Sequence, residues 1–255
     1  MIPKVIHYCW IGKVPLPKLA RKCIASWEKI MPDYEIKLWN EDNYDFKKNE
    51  FMKNAYMQQK WGFVPDYARL DIIYNYGGIY LDTDVEVLKP FDEFLKYPAF
   101  CGFESKYFVA FGLGFGAEKG NNLIKEMLDQ YETLTFDLDE ETKKYFNTDR
   151  IKEIEENKIF TPSPILQTQF LRNNYGLKQD NTRQSLKNIE VFPTDFFCPR
   201  DEVKLPTITE KAFSVHWYMA SWVSKKQKIK IIIRALLIKF LGKKVFTFLY
   251  KIYKK

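Results

Sequence analysis

Two aspartates, Asp82 and Asp84, stand one residue apart in the stretch "NYGGIYLDTDVEVL", residues 75–88. They close a short apolar run, Ile79-Tyr80-Leu81, which itself follows two glycines. Charge at the end of a buried strand is costly unless something pairs with it. Two carboxylates at this spacing face the same side of a strand, so they can share one divalent cation. Mg²⁺ and Mn²⁺ prefer oxygen ligands and leave coordination positions open for phosphates. An Asp-x-Asp also arises in ordinary acidic turns; the apolar strand and the Gly-Gly before it set this one apart. Asp66 and Arg69 lie three residues apart just upstream, on one face of a predicted helix. As an exposed ion pair they are worth roughly 0–1 kcal/mol. Their helix leads straight into the carboxylate strand, however, so both side chains can instead reach the same crevice.

The elements that must position these residues follow from pattern and punctuation. "KVIHYCWIG" is strand-like and ends at Gly12. Pro15 and Pro17 open a helix over 18–31, with Leu19, Cys23, Trp27 and Ile30 on one stripe and Pro32 as its stop. "YEIKLWN" is a second strand, and 49–61 a second helix. In "VPDYARLDIIYNYGG" Pro65 suits the first helical turn, Asp66 the positive N-terminal end, and Gly77-Gly78 the stop. "IYLD" and "VEVL" then read as strands. The order β-α-β-α-α-β argues for an α/β nucleotide-binding layer. Open sheets of that kind bind ligands off the carboxyl ends of their strands, where Asp82 and Asp84 fall.

Downstream, "YFVAFGLGFGAE" (107–118) reads as a glycine-studded strand. Its G-x-G-x-G spacing is not a phosphate loop, because no Lys-Ser/Thr follows and the unit comes late in the chain. Close backbone approach accounts better for these glycines. A helix is expected at 121–134, a solvated, charged helical excursion at 136–158, and a further helix in "TPSPILQTQFLRN". "AFSVHWYMASWV" is apolar and aromatic, with His216 its one histidine.

Composition narrows the classes. At 255 residues and 46% apolar, a sizeable core is expected. Aromatics reach 17%, which suits either a ring-stacking site or a bulky core. Cys9, Cys23, Cys101 and Cys198 form no C-x-x-C pair, which argues against a zinc ribbon or redox motif and fits a reducing cytosol. Pro3, Lys4 and His7 interrupt any signal-peptide core at the N-terminus. The net charge of +7 is uneven: residues 225–255 hold eleven Lys/Arg and no Asp or Glu, leaving 29 basic and 33 acidic residues elsewhere, a formal −4. The basic character therefore belongs to a tail, and a fold-wide nucleic-acid surface is not expected. Lys226, Lys230 and Arg234 recur every four residues, with Ile229, Ile232, Ile233, Leu236, Leu237, Phe240 and Leu241 spread across the other side of a helix. Charges recur too often for a spanning helix. The pattern suits an in-plane amphipathic anchor on anionic lipid, or a helix packing on protein. The organisation expected is a globular domain over 1–223 and a basic amphipathic helical tail over 224–255.

Three motifs in order, "IHYCWIG", "PDYARLDIIYNYGGIYLDTDVEVLKP" and "HWYMASW", resemble glycosyltransferase family 32. That family includes capsular-polysaccharide transferases and initiating mannosyltransferases. The Asp-x-x-Arg and Gly-Gly-x-Tyr-x-Asp-x-Asp pattern is also similar to the large clostridial glucosylating toxins. The resemblance covers roughly residues 2–95 and 212–222. It implies a GT-A-type α/β fold with a central mixed sheet, and retaining transfer from a nucleotide sugar to a saccharide or lipid-linked acceptor, with Mn²⁺ or Mg²⁺. By position it implies that Asp82 touches ribose or sugar and assists the metal, that Asp84 binds the metal, and that His216 is a third ligand. Trp10 would lie beside the base, which favours UDP over GDP. Asp66 and Arg69 would hold the donor sugar, and Trp222 would approach the diphosphate or the leaving oxygen. Tyr80, Thr83 and Ser221 complete the implied donor site. The alternatives that the residues leave open are core packing for Trp10 and Trp222 and a buried, hydrogen-bonded role for His216. No isolated Glu must serve as nucleophile, and a front-face retaining route requires none. Ser163, in "TPSPILQTQF", departs from the family by standing where a glycine is usual. The implied setting is a cytoplasmic enzyme, peripheral on the inner face of the cell membrane. Two rivals are a non-catalytic, membrane-associated sugar-binding module and an Asp-nucleophile phosphatase. Glu86 and the late position of the motif count against the second.

Overall fold

The computed structural model describes residues 1–199 and 207–218, with Ile233, Phe240 and Gly242 as isolated points. Its strands are β1 (Val5–Cys9), β2 (Glu35–Trp39), β3 (Gly78–Tyr80), β4 (Val85–Val87), β5 (Ala99–Phe103), β6 (Val109–Ala110), β7 (Phe115–Ala117), β8 (Gln184–Leu186), β9 (Ile189–Phe192) and β10 (Ser214–His216). Its helices are α1 (Lys18–Ile30), α2 (Glu50–Met57), α3 (Val64–Tyr76), α4 (Asn122–Asp129), α5 (Glu140–Lys143), α6 (Thr148–Glu156), α7 (Ser163–Tyr175) and α8 (Thr194–Phe197). An eight-stranded mixed sheet runs β2-β1-β3-β7-β5-β9-β8, with β6 paired to β5; β10 and β4 form a separate antiparallel pair. β1 lies parallel to both β2 and β3, and β7 runs antiparallel to β3 and β5. This is the α/β architecture with a central mixed sheet flanked by helices that the sequence led us to expect, in the order β-α-β-α-α-β through β3.

Alternation along the strands sends side chains into two cores, one on each sheet face. Ile6, Tyr8, Ile79 and Leu81 join Trp27 of α1 and a ring cluster of Phe91, Phe94, Phe100, Phe192 and Phe197. Cys9 and Tyr80 point the other way, to a core shared with α2, α3, α4 and α7. Much of the aromatic excess is thus core. Trp27 also satisfies its indole N–H on the Val85 carbonyl at 2.8 Å, which ties α1 to β4. All four cysteines are buried, with no disulfide among the described residues.

Gly77 and Gly78 turn α3 back into β3. Gly77 caps the helix at φ +68°, its N–H on the Ile73 carbonyl at 2.8 Å. Gly78 has φ +108°, and a Cβ there would lie 2.7 Å from the Val5 carbonyl of the neighbouring strand. Glycine alone meets both demands. His7 seals the same junction from β1. The Trp39 indole N–H donates to His7 Nδ1 at 3.0 Å, so Nε2 carries the proton and donates to the Gly77 carbonyl at 2.9 Å. Burial lowers the His7 pKa to about 4, keeping the ring neutral.

Four elements differ from expectation. α4 stops at Asp129, short of 134, and a 3-10 turn at Gln130–Glu132 follows it. α2 stops at Met57, short of 61, as Gln59 takes φ +55° and Lys60 bonds back to Ala55. The charged stretch 136–158 forms two short helices, α5 and α6, each begun by an Asp or Asn cap, rather than one excursion. The strand expected over 107–118 is broken by a 3-10 turn at Phe111–Leu113. The reason lies at the carboxylate site described below. Ser221, Trp222, the division at 223/224 and the proposed tail helix lie outside the described residues, the three isolated points apart. Among the described residues, no helix is long and apolar enough to cross a membrane.

Candidate functional site

β1 and β3 are parallel neighbours, so their carboxyl ends open on one edge of the sheet. β1 delivers Trp10 there; β3 delivers Asp82, Thr83 and Asp84. β10 completes the site from the far end of the chain: it pairs antiparallel with β4 in the register His216↔Val85, which sets His216 beside Asp84. The His216 Nε2 to Asp84 Oδ1 distance is 3.0 Å, and the Trp217 amide donates to the Asp84 carbonyl at 2.9 Å. One ligand atom each from Asp82, Asp84 and His216 lies within 4.8 Å of the others.

A buried chain of charge runs away from this triad. Arg69 Nη2 lies 3.0 Å from Asp66 Oδ1 and 3.5 Å from Asp82 Oδ1. Its Nε donates to the Pro65 carbonyl at 3.0 Å, and its guanidinium sits 5.2 Å from the Tyr80 ring centre. The Arg69 and Asp66 side chains are only 6% and 5% exposed, so they are not the surface pair that spacing alone allows. Burial pushes the Asp66 carboxyl up to about 6, and Arg69 and a Ser163 hydrogen bond pull against that shift. Burial works against the Arg69 charge, but Asp82 and Asp66 outweigh it and the guanidinium stays protonated. Asp82 is raised by lost hydration, opposed by Arg69 and reinforced by Asp84. With 29% of its side chain open to the cleft, water screens much of that shift. Burial lowers His216, yet Asp84 overrides it and the imidazole pKa is raised. The Cys9 thiol, pushed up to about 12 by burial, stays protonated and is no nucleophile at neutral pH.

Gly112 explains the broken strand. The Asp82 amide donates to the Gly112 carbonyl at 3.0 Å. A Cβ on Gly112 would overlap Asp82 Oδ2 outright and lie 2.8 Å from its Cγ and 3.1 Å from Arg69 Nη1. The 111–113 turn therefore brings bare backbone against the carboxylate. The glycines do mark close backbone approach, but sequence alone names no partner for them.

These groups line a cleft of about 430 Å³, large enough for a small ligand. Its lining combines polar groups, Arg69, Asp82, Thr83, Asp84 and His216, with apolar ones, Trp10, Ile11, Val14, Pro15, Trp61 and Pro65. Trp10 is half-buried and donates its indole N–H to the Val14 carbonyl at 2.6 Å. Tyr80 also lines the cleft. Asp66 stands behind Arg69, outside the cleft lining. Trp61, Gly112 and Ser163 are neighbours of the site to which the sequence assigned no place in it. Trp61 follows α2 without periodic signal. Ser163 is a departure from a family pattern, with nothing in the sequence to say that it bears on the Asp66 carboxyl. A cleft whose lining combines cation-ligating donors with apolar and aromatic side chains suits a ligand that carries both phosphate and a ring.

Residues 17–101 match the model of the glycosyltransferase sugar-binding region containing DXD motif. Asp66, Arg69, Asp82 and Asp84 fall inside that stretch, Trp10 and His216 outside it. Inositol phosphoceramide mannosyltransferase 3 of Schizosaccharomyces pombe is 34% identical over 109 residues, which are 38% of this chain and 28% of that protein. Uncharacterized glycosyltransferase L373 of Acanthamoeba polyphaga mimivirus is 35% identical over 101 residues, 37% and 40% of the two chains. The matches thus span less than half of these relatives. Among solved structures, the PaToxG glycosyltransferase superposes with a TM-score of 0.46 at 19% identity over 68% of each chain.

Proposed function

We propose that this protein is a metal-dependent retaining glycosyltransferase. It moves a sugar from a nucleotide sugar, UDP-linked by preference, to a saccharide or lipid-linked saccharide acceptor in bacterial surface polysaccharide synthesis. The observation that carries this reading is the convergence of Asp82, Asp84 and His216 within 4.8 Å of one another, in the cleft that Arg69 also lines. The match of residues 17–101 to a DXD sugar-binding region supports it independently.

Two carboxylate oxygens and one imidazole nitrogen form a donor set that fits Mn²⁺, and Mg²⁺ less well because it favours oxygen alone. Asp82, Asp84 and His216 would hold the ion. When bound, it stabilises the negative charge that grows on the diphosphate as the glycosidic bond breaks. The protein's own groups do the rest. Arg69, fixed between two carboxylates, presents its remaining N–H donors from a rigid fork, and Asp82 shares its oxygens between Arg69 and the cation site. Trp10, Trp61 and the prolines shelter the base and exclude water. Ser221 and Trp222, outside the described residues, are assigned to the diphosphate by motif alone. The basic stretch 225–255 would dock the enzyme on anionic lipid at the inner membrane face, where a lipid-linked acceptor is confined.

A thermal-shift panel of UDP- and GDP-sugars with Mn²⁺ tests the donor assignment. The mannosyltransferase relatives keep a mannosyl donor in that panel. Stabilisation by a UDP-sugar that needs Mn²⁺ is expected. Binding without turnover would assign a sugar-binding module instead, and release of phosphate from aryl phosphates with no response to any nucleotide sugar would assign a phosphatase.

A further inference from the structure

The buried face of α7 carries three polar side chains, Ser163, Gln167 and Thr168, 7%, 1% and 1% exposed. Polar groups in a core need partners, and those found here are specific. Gln167 Oε1 accepts from the Phe111 amide at 3.0 Å. Thr168 Oγ1 accepts from the Val109 amide at 3.0 Å while donating to the Pro164 carbonyl at 2.6 Å. β6 pairs only with β5 among the described strands, so its other edge presents N–H groups that no strand takes up. Gln167 and Thr168 take the place of a neighbouring strand along that edge. Their reach ends at Phe111, one residue before Gly112, the backbone that lies against Asp82. Gln167 therefore acts on Asp82 through the 111–113 turn, whose Gly112 carbonyl takes the Asp82 amide.

Gln167 Nε2 is buried with no partner among the described residues. An orphaned amide donor is a cost that an apolar side chain of similar size avoids. The amide is therefore fixed by its oxygen, the acceptor that the Phe111 N–H requires.

We infer that Gln167 is a positioning residue, which holds Asp82 beside Arg69 through the 111–113 turn so that the donor sugar meets a preset arrangement. This deepens the proposed function and rests on it. A preset site loses rate when its groups shift by about an ångström, by about 10²-fold, while distant parts of the ligand still bind.

The test uses the full chain with Gln167→Met and with Gln167→Glu, which keeps an accepting oxygen. UDP affinity in Mn²⁺ is measured by calorimetry, and kcat and KM with the UDP-sugar to which the wild type responds. The expected result is UDP affinity within about twofold of wild type, a kcat lowered by about 10- to 100-fold in Gln167→Met, and recovery to within a few-fold in Gln167→Glu. Wild-type kcat in Gln167→Met overturns the inference. So does a parallel loss of UDP affinity and kcat, or a Gln167→Glu no better than Gln167→Met. A wild type with no Mn²⁺-dependent UDP binding or turnover overturns the proposed function itself. The link is then still decided by urea unfolding of Gln167→Met, Asp82→Asn and the double variant: non-additive effects are expected, and additive ones remove the coupling between Gln167 and Asp82.

Discussion

One hydrogen atom at Gly112 separates a workable carboxylate from a blocked one. In Gly112→Ala the new methyl group occupies the space of Asp82 Oδ2, so Asp82 must rotate away from Arg69. Overpacking of this kind costs about 1–3 kcal/mol of stability. Displacing a reacting group should lower donor turnover by about 10²-fold. Urea unfolding and a nucleotide-sugar turnover assay on the same variant check both. Arg69→Ala separates two accounts of the Asp66–Arg69 pair more sharply. An exposed pair loses roughly 0–1 kcal/mol, whereas removing one partner from a buried network costs about 3–5 kcal/mol. The larger loss is expected, because both side chains are at most 6% exposed. The residue types and their i,i+3 spacing were legible in the sequence. Their burial was not, since it depends on segments distant in the chain, such as the 111–113 turn that lies against Arg69 and Asp82.

Among the elements, the junction between α3 and β3 governs how the aspartates reach the cleft, and His7 on β1 makes it sensitive to pH. Trp39 can only donate, so a proton on His7 Nδ1 would set two donors against each other. The folded pKa of about 4 lies below the ordinary 6.5. Protons therefore bind the unfolded chain first. His7 leaves stability intact above pH ~6.5 and withdraws it as pH falls toward 4, by on the order of 3 kcal/mol in all. Asp66 acts with the opposite sign in nearly the same window. Its folded pKa of about 6 lies above the ordinary 3.8, so acidification relieves a burial penalty there. The His7 contribution is isolated as the difference between wild type and His7→Gln in unfolding free energy measured from pH 7.5 to 4.5. The wild type should lose more stability than His7→Gln as the pH falls; parallel curves would count against a neutral, two-bonded His7. The first six elements were legible because proline, glycine and apolar period agree there. The region after Phe103 was less so. The 111–113 turn answers to Asp82, α6 is polar on most of its surface, and β10 is three residues whose partner, β4, lies about 130 positions earlier.

On the scale of the whole molecule, a site built from β1, β3 and α3 is finished by His216 near the other end of the described chain. Sequence spacing could place that histidine only by resemblance; the β4–β10 register supplies its position. The basic stretch beyond it is a matter of composition alone. With eleven Lys/Arg in residues 225–255, each able to add up to ~1 kcal/mol of attraction to an anionic surface, the full chain should cosediment with phosphatidylserine vesicles at low salt. Removal of 225–255 should release it while activity on a soluble acceptor persists, and equal binding by the truncated chain would refute the anchor. The central claim is that Asp82, Asp84 and His216 hold the cation on which sugar transfer depends. The most direct measurement is release of UDP from a UDP-sugar by wild type and Asp84→Ala, each with Mn²⁺ and with excess EDTA, alongside circular dichroism to verify folding. The account expects turnover only for wild type with Mn²⁺, and a loss of at least about 10²-fold in folded Asp84→Ala, the scale on which removal of one charge-stabilising group acts. Wild-type turnover in EDTA, or by Asp84→Ala, would contradict it.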